Sequence, residues 1–198
     1  VAGVCVAGAR GMQTKPDLRS PANRALDLSR AFWWVGLLSV LLQMGLGAAA
    51  AAGLVSASRS NLVLDEPPVR GIGIGIFWAV CGGVLLLVAI ANAFRYIRIS
   101  QRLRRLDLEQ HPKTSALVRL LRVGIVLGLV GALVTLVGAE VSIATLMTQA
   151  ETSSALANTQ GFVRILNLQV VAANLHLVAA HFAGLTLSLG LYDWFRRQ

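Results

Sequence analysis

The chain has 198 residues, of which 56% are hydrophobic and only 14% charged, with a net charge of +9. Soluble domains average about 25% charged residues, so this composition excludes an ordinary water-soluble protein and indicates a surface that faces lipid. The basic residues lie in short blocks between apolar runs, which favours anionic lipid or membrane topology over nucleic acid as the reason for the positive charge.

Residues 1–30 are predicted to form an N-terminal tail. Its first part, Val1–Met12, is small, apolar and free of acids, as expected for the remainder of a targeting peptide. The two cysteines, Cys5 and Cys81, have no partner at a metal-binding spacing, so we interpret them as incidental or buried thiols.

Residues 31–198 are predicted to form one all-α transmembrane domain. Each of its four apolar runs reaches the roughly 20 residues that a helix needs to cross hydrocarbon, where backbone groups must bond within the segment. The predicted spans are about 31–55, 71–96, 123–147 and 162–191.

The arginines and lysines predict the topology. In a four-span arrangement, fifteen of the eighteen basic residues lie on the side that holds both termini, and only Arg59, Arg70 and Arg164 lie on the other. The positive-inside rule therefore places both termini on one strongly basic side.

The loop between the second and third spans carries much of this charge. Ile99, Leu103 and Leu106 repeat at helical spacing, so we expect the second helix to continue beyond the membrane surface until His111-Pro112 interrupts it. A solvated loop is the simpler interpretation, and a surface for anionic headgroups or a partner protein is the alternative. The candidate binding residues are Arg98, Arg102, Arg104, Arg105 and Lys113.

Glu140 is the acidic residue that lies deep in a predicted span, about 25 Å along the third helix from its basic end. It is either a proton or cation ligand or an interfacial, hydrogen-bonded acid. By depth, a site that combines Glu140 with Asn174 or His176 of the fourth span is possible.

The fourth span is the most polar. Asn167, Asn174 and His181 recur every seven residues and so share one helix face, whereas His176 and His181 lie about 140° apart and do not form an i,i+4 metal pair. Three interpretations remain open for these side chains: hydrogen bonds between helices, passage of an ion or metal, or axial ligation of a porphyrin-like pigment by His176 or His181.

Small residues at four-residue spacing predict close helix contacts at Gly124, Gly128, Ala180 and Gly184. The sequence contains no Ser/His/Asp arrangement, HExxH or CxxC motif, which indicates a non-enzymatic protein.

Four stretches together resemble a family of four-span membrane proteins shared by cyanobacteria and plastids and catalogued as a domain of unknown function. They are Arg30–Gln43, Ala93–Arg105, Leu121–Glu140 and Asn167–Leu191. The family includes the 21-kilodalton component of the chloroplast inner-envelope translocon, which is also described as a chloroplast iron permease. The resemblance covers about residues 26–191.

The resemblance implies a plastid membrane protein with its basic side toward the stroma. It implies that the protein works within a larger complex, either in inner-envelope protein translocation or in iron transport. The expected partners are membrane lipids and other plastid membrane-complex subunits, and nucleic acid is not among them. The alternative is an accessory scaffold subunit of a thylakoid photosystem–antenna assembly that binds chlorophyll.

Overall fold

The computed structural model describes residues 21–63, 72–104, 114–152 and 160–197, and almost all of these are helical. The helices are α1 (Pro21–Val63), α2 (Ile72–Arg104), α3 (Thr114–Thr152) and α4 (Gln160–Arg196). The prediction of an all-helical protein with four membrane-spanning lengths is confirmed. The candidate spans are Leu26–Arg59, Gly73–Arg104, Ser115–Thr148 and Leu168–Arg196.

Each helix is longer than the span predicted for it. α1 already begins at Pro21, so residues 21–30 of the predicted tail belong to the first helix. Proline is favoured at the first helical position because its missing N–H would have no partner there. The 43 residues of α1 extend about 65 Å, roughly twice the hydrocarbon thickness, so this helix is longer than a membrane span requires.

The four helices form a bundle in chain order around its axis. α1 packs on α2 and α4, and α3 packs on the same two helices from the opposite side. α2 and α4 also contact each other through the centre, which separates α1 from α3. Residues of α2 and α4 therefore form most of the interior.

One buried cluster shows how the helix ends are arranged. Phe32 near the start of α1, Tyr96 near the end of α2, Leu117 and Leu121 at the start of α3, and Leu191 near the end of α4 pack together. The Phe32 and Tyr96 rings meet edge to face, with centroids 6.0 Å apart. The described start of α1 and end of α4 thus lie at the same end of the bundle, together with the basic ends of α2 and α3.

The outer surface carries large apolar side chains along all four helices. Leu41, Phe77, Leu87, Leu133 and Phe182 are each more than half exposed. An exposed apolar surface of this extent is not tolerated in water, but it suits hydrocarbon, which has no affinity for polar groups. Large apolar side chains thus cover the outside of the bundle, while its interior combines small and apolar residues with polar ones.

Close approach between α3 and α4 depends on Gly128. A Cβ built there would lie 2.8 Å from the Leu185 Cβ and 3.0 Å from its Cα, and backbone cannot move aside as a flexible side chain can. Gly190, which is exposed on α4, has no atom within 4 Å of the corresponding Cβ position, so it serves as the control for Gly128.

We expect Gly128→Ala to lower the free energy of unfolding by about 1–3 kcal/mol, the usual cost of overpacking. Gly190→Ala should leave it unchanged or raise it by roughly 0.5–1 kcal/mol, because alanine is the better helix former. Unfolding of both purified variants in detergent measures the difference, and equal stability of the two would contradict this account of the helix contact.

Candidate functional site

Three polar side chains of α4 line the interior at a spacing of seven residues. Asn174 and His181 are fully buried, and Ser188 is 3% exposed. At 1.5 Å per residue, successive members are about 10 Å apart along the bundle axis. We call these three residues the polar column.

Three glycines of α3 face the polar column at the same spacing. A Cβ at Gly138 would lie 2.6 Å from the Asn174 Oδ1 atom, one at Gly131 would overlap the His181 ring, and one at Gly124 would lie 2.8 Å from the Ser188 Oγ atom. Each polar side chain therefore occupies space that is open only because the facing residue of α3 is a glycine and has no Cβ atom. A seven-residue repeat shared by neighbouring helices is the pattern of a left-handed bundle.

Glycine carbonyls of α2 receive hydrogen bonds from the polar column. Asn174 Nδ2 donates to the Gly75 carbonyl oxygen at 3.4 Å and to the Val170 carbonyl at 3.1 Å. His181 Nε2 lies 3.1 Å from the Gly82 carbonyl oxygen, and because a carbonyl only accepts, Nε2 is the protonated nitrogen. The bonds to Gly75 and Gly82 join α4 to α2 across the centre of the bundle.

Ser188 belongs to a second polar group, nearer the basic end. The Tyr96 hydroxyl lies 3.1 Å from Ser188 Oγ and accepts a bond of 3.2 Å from Asn92 Nδ2. These residues line a small interior cavity of about 10 Å³, to which α1 contributes Ser39 and Gln43. The buried oxygens Gln43 Oε1 and Asn92 Oδ1 bond to no described residue. The cavity has the volume that one water molecule needs.

Gln43 also lines a larger apolar groove of about 450 Å³ on the membrane-facing side between α1 and α2. Small residues form much of this groove, including Gly47, Ala48 and Ala51 of α1 and Gly83 of α2. The side chain of Gln43 thus separates the polar cavity from the outer groove.

The basic end is held together by a short polar chain. Arg104 Nε donates to Ser29 Oγ at 3.2 Å, and Ser29 Oγ donates to the Ser100 carbonyl oxygen at 2.9 Å. Beside it, Arg95 and Arg119 line an outer cleft of about 380 Å³ between α2 and α3. The exposed described arginines of this end are Arg30, Arg95, Arg98, Arg102, Arg104, Arg119, Arg122, Arg196 and Arg197.

The structure separates the residues of the proposed ion site. Glu140 is exposed on α3, whereas Asn174 is fully buried against Gly138, so equal depth does not bring the two side chains together. His176 is part-buried on α4, and its Nδ1 lies 2.6 Å from the Ala172 carbonyl of its own helix. Among the described residues, no group of three or more His, Cys, Asp or Glu side chains could hold a metal ion.

The predicted packing residues occupy different contacts. Gly124 lies against Tyr96 and Ser188, and Gly128 against Leu185. Ala180 belongs to a buried cluster that joins α4 to α1 and α2, and Gly184 lies against Gln43 of α1. Of the predicted basic residues, Arg98, Arg102 and Arg104 are exposed at the end of α2, whereas Arg105 and Lys113 lie outside the described residues, as does the Asn167 side chain.

Several interior polar residues were not identified from the sequence. Ser188 continues the spacing of Asn174 and His181 by a further seven residues, so extending the same repeat would have found it. Gln43 stands alone in the first span, whereas Asn92 and Tyr96 lie four residues apart in the second, a spacing that places both on one face of α2. No spacing connects Gln43 to this pair, and its juxtaposition with them comes only from helix packing.

Residues 22–196 match the family described as "Protein of unknown function (DUF3611)", which is nearly the whole chain. The chain belongs to the DUF3611 family. This confirms the resemblance seen in the sequence. The DUF3611 chain is also 31% identical over 186 residues to "Protein TIC 21, chloroplastic" of Arabidopsis thaliana. That alignment covers 89% of this chain and 60% of the relative, so the chain spans about three fifths of the relative's length. No solved structure matches the chain.

The contact between His181 and Gly131 generates a test of the polar column. We expect Gly131→Ala to destabilise the bundle by about 1–3 kcal/mol, because its methyl group meets the His181 ring. In a His181→Ala background the ring is gone, and the same glycine substitution should cost little.

A double-mutant cycle of unfolding free energies measures this coupling, which we expect to be at least about 1 kcal/mol. Additive effects of the two substitutions would show that His181 and Gly131 do not constrain each other. A cycle that pairs His181→Ala with Gly190→Ala is the control, because Gly190 is exposed with open space at its Cβ position.

Proposed function

We propose that this DUF3611 chain is a non-enzymatic subunit of a plastid membrane complex that acts in protein translocation at the inner envelope. Support comes from the family match, from the relative named as a chloroplast protein, and from four helices suited to a bilayer. The family resemblance connects these features to translocation.

The observation that carries the proposal is the use of the bundle interior for helix packing. Asn174 and His181 bond to α2 carbonyls and fit against α3 glycines, so the interior polarity stabilises contacts between helices. Hydrogen bonds of this kind contribute about 0.6 kcal/mol each in membrane proteins. This arrangement suits a subunit that builds a complex through its outer surfaces.

Iron passage through the same bundle receives less support from the geometry. A site for a bare metal ion needs several ligands that converge, whereas Glu140 is exposed, Asn174 is fully buried and His176 bonds to a carbonyl of its own helix. The described interior instead offers a cavity of about 10 Å³ lined by neutral groups. We therefore place translocation ahead of iron transport.

We assign the basic end of the bundle to the binding of partner proteins and anionic lipid. In the proposed orientation this end faces the stroma. Its arginines lie at the ends of all four helices, and Arg98 and Arg102 stand one turn apart on the exposed face of α2. Each arginine near a negatively charged membrane surface contributes about 1 kcal/mol. Charge complementarity therefore favours acidic partner surfaces and anionic headgroups here.

Purification of the native complex through a tag on this chain tests the proposal. We expect translocation components to co-purify and to be identified by mass spectrometry. Recovery with photosystem and antenna subunits instead would overturn the assignment in favour of a thylakoid scaffold.

The charge argument has its own test. We expect the double variant Arg98→Gln/Arg102→Gln to retain added phosphatidylglycerol more weakly in native mass spectrometry. The free energy of lipid binding should fall by about 1 kcal/mol per arginine removed. Arg59→Gln, an exposed arginine at the opposite end of α1, is the matched control and should bind like the wild-type chain. Equal losses for both variants would contradict a headgroup site at the basic end.

The orientation is tested with cysteines introduced into a chain whose Cys5 and Cys81 have been replaced. In intact plastids, a membrane-impermeant thiol reagent should leave Arg197→Cys unmodified and label Arg59→Cys, because the basic side faces the stroma. The reverse labelling pattern would contradict the proposed orientation.

A further inference from the structure

One ring nitrogen of His176 is hydrogen-bonded to the protein, and the other has no bond to a described residue. Its Nδ1 lies 2.6 Å from the Ala172 carbonyl oxygen. Because a carbonyl only accepts, Nδ1 carries the proton, and in the neutral ring Nε2 carries the lone pair. No described residue bonds to Nε2, and this atom is not among the buried ones. An imidazole fixed in this way is the usual state of a metal-ligating histidine.

Alanines surround His176 on its own helix. Ala172, Ala173, Ala179 and Ala180 lie three or four positions before and after it, and Ala183 follows seven positions on. Ala173 and Ala180 are buried toward the bundle, while Ala172, Ala179 and Ala183 border its outer surface. The side chains three and four positions from His176 on its own helix are therefore single methyl groups.

Helix α1 continues this flat surface. Gly53 packs against α4, where its Cβ position is 3.6 Å from the Ala173 Cβ atom. Ala49, one turn before Gly53 on the same face of α1, is exposed. Small residues of α1 therefore lie next to the α4 surface that carries His176, which allows a broad planar molecule to approach it.

His181 lacks all of these features. It is fully buried, its Nε2 is bonded to the Gly82 carbonyl, and its ring is in close contact with Gly131. Its unprotonated nitrogen, Nδ1, is a buried atom. Of the two histidines in the fourth span, only His176 presents a lone pair at the surface of the bundle.

We propose that His176 Nε2 is the axial ligand of a metal-centred tetrapyrrole that lies against the membrane-facing surface of α4 and α1. A tetrapyrrole supplies four nitrogen ligands itself, so one protein histidine completes its coordination, whereas a bare ion requires several. The bond forms from the Nε2 lone pair to the metal, and no proton is released because Nδ1 keeps its own. The apolar macrocycle suits the lipid-facing surface.

Two probes distinguish the metal of the tetrapyrrole. The purified full chain in nanodiscs is titrated with chlorophyll a in one arm and with haemin in the other, and absorption spectra follow binding. We expect saturable binding of one pigment per chain in at least one arm. Resonance Raman spectra should then report an added axial nitrogen ligand.

Variants test the role of the imidazole. His176→Leu should bind the pigment at least about tenfold more weakly, since loss of even an outer-shell partner of a metal costs 10–100-fold. In His176→Gly, added imidazole should restore the axial-ligand signature, which a purely structural role would not allow. Thr186→Leu, another exposed position of α4, is the matched control and should bind normally.

Far-UV circular dichroism verifies that each variant remains helical. The proposal is overturned if neither pigment saturates, or if His176→Leu binds as tightly as the wild-type chain, or if imidazole does not restore ligation. These measurements do not depend on translocation partners, so they can fail or succeed independently of the proposed function.

Discussion

The match between polar side chains on α4 and glycines on its neighbours determines how this bundle is built. Asn174 and His181 need space on α3, which Gly138 and Gly131 provide, and acceptors on α2, which Gly75 and Gly82 provide. Because a buried donor without an acceptor is costly in hydrocarbon, these contacts favour the observed alignment of the helices, although the Asn174 Oδ1 and His181 Nδ1 atoms stay buried without a described partner. A shift of α4 by one residue along its neighbours would lose the space and the acceptors together.

This constraint explains why the structure separates polar and apolar residues as it does. Lipid provides no hydrophobic driving force between helices, so close packing and hydrogen bonds must hold the bundle. Small residues supply the close packing at Gly128 and Gly184, and the polar column supplies bonds between α4 and α2. The large apolar side chains are left to face the lipid, as Phe77 and Phe182 do.

The four spans could be predicted from the sequence because hydropathy and charge are properties of local segments. The depth of a residue follows from counting along a helix, so the sequence predicts Glu140 and Asn174 within spans and at similar depth. The direction of a side chain around the helix axis depends on how the helices pack, which one sequence does not determine. For this reason a shared depth suggested a site for Glu140 with Asn174, although one is exposed and the other buried. The same limit left His176 and His181 equivalent until hydrogen bonds and burial distinguished them.

Gln43 lines both the interior cavity and the outer groove between α1 and α2. A Cβ atom at Gly184 would overlap the amide nitrogen of Gln43, so this amide can lie between α1 and α4 only because residue 184 has no side chain. At this position the wall between a polar and an apolar space is therefore a single side chain.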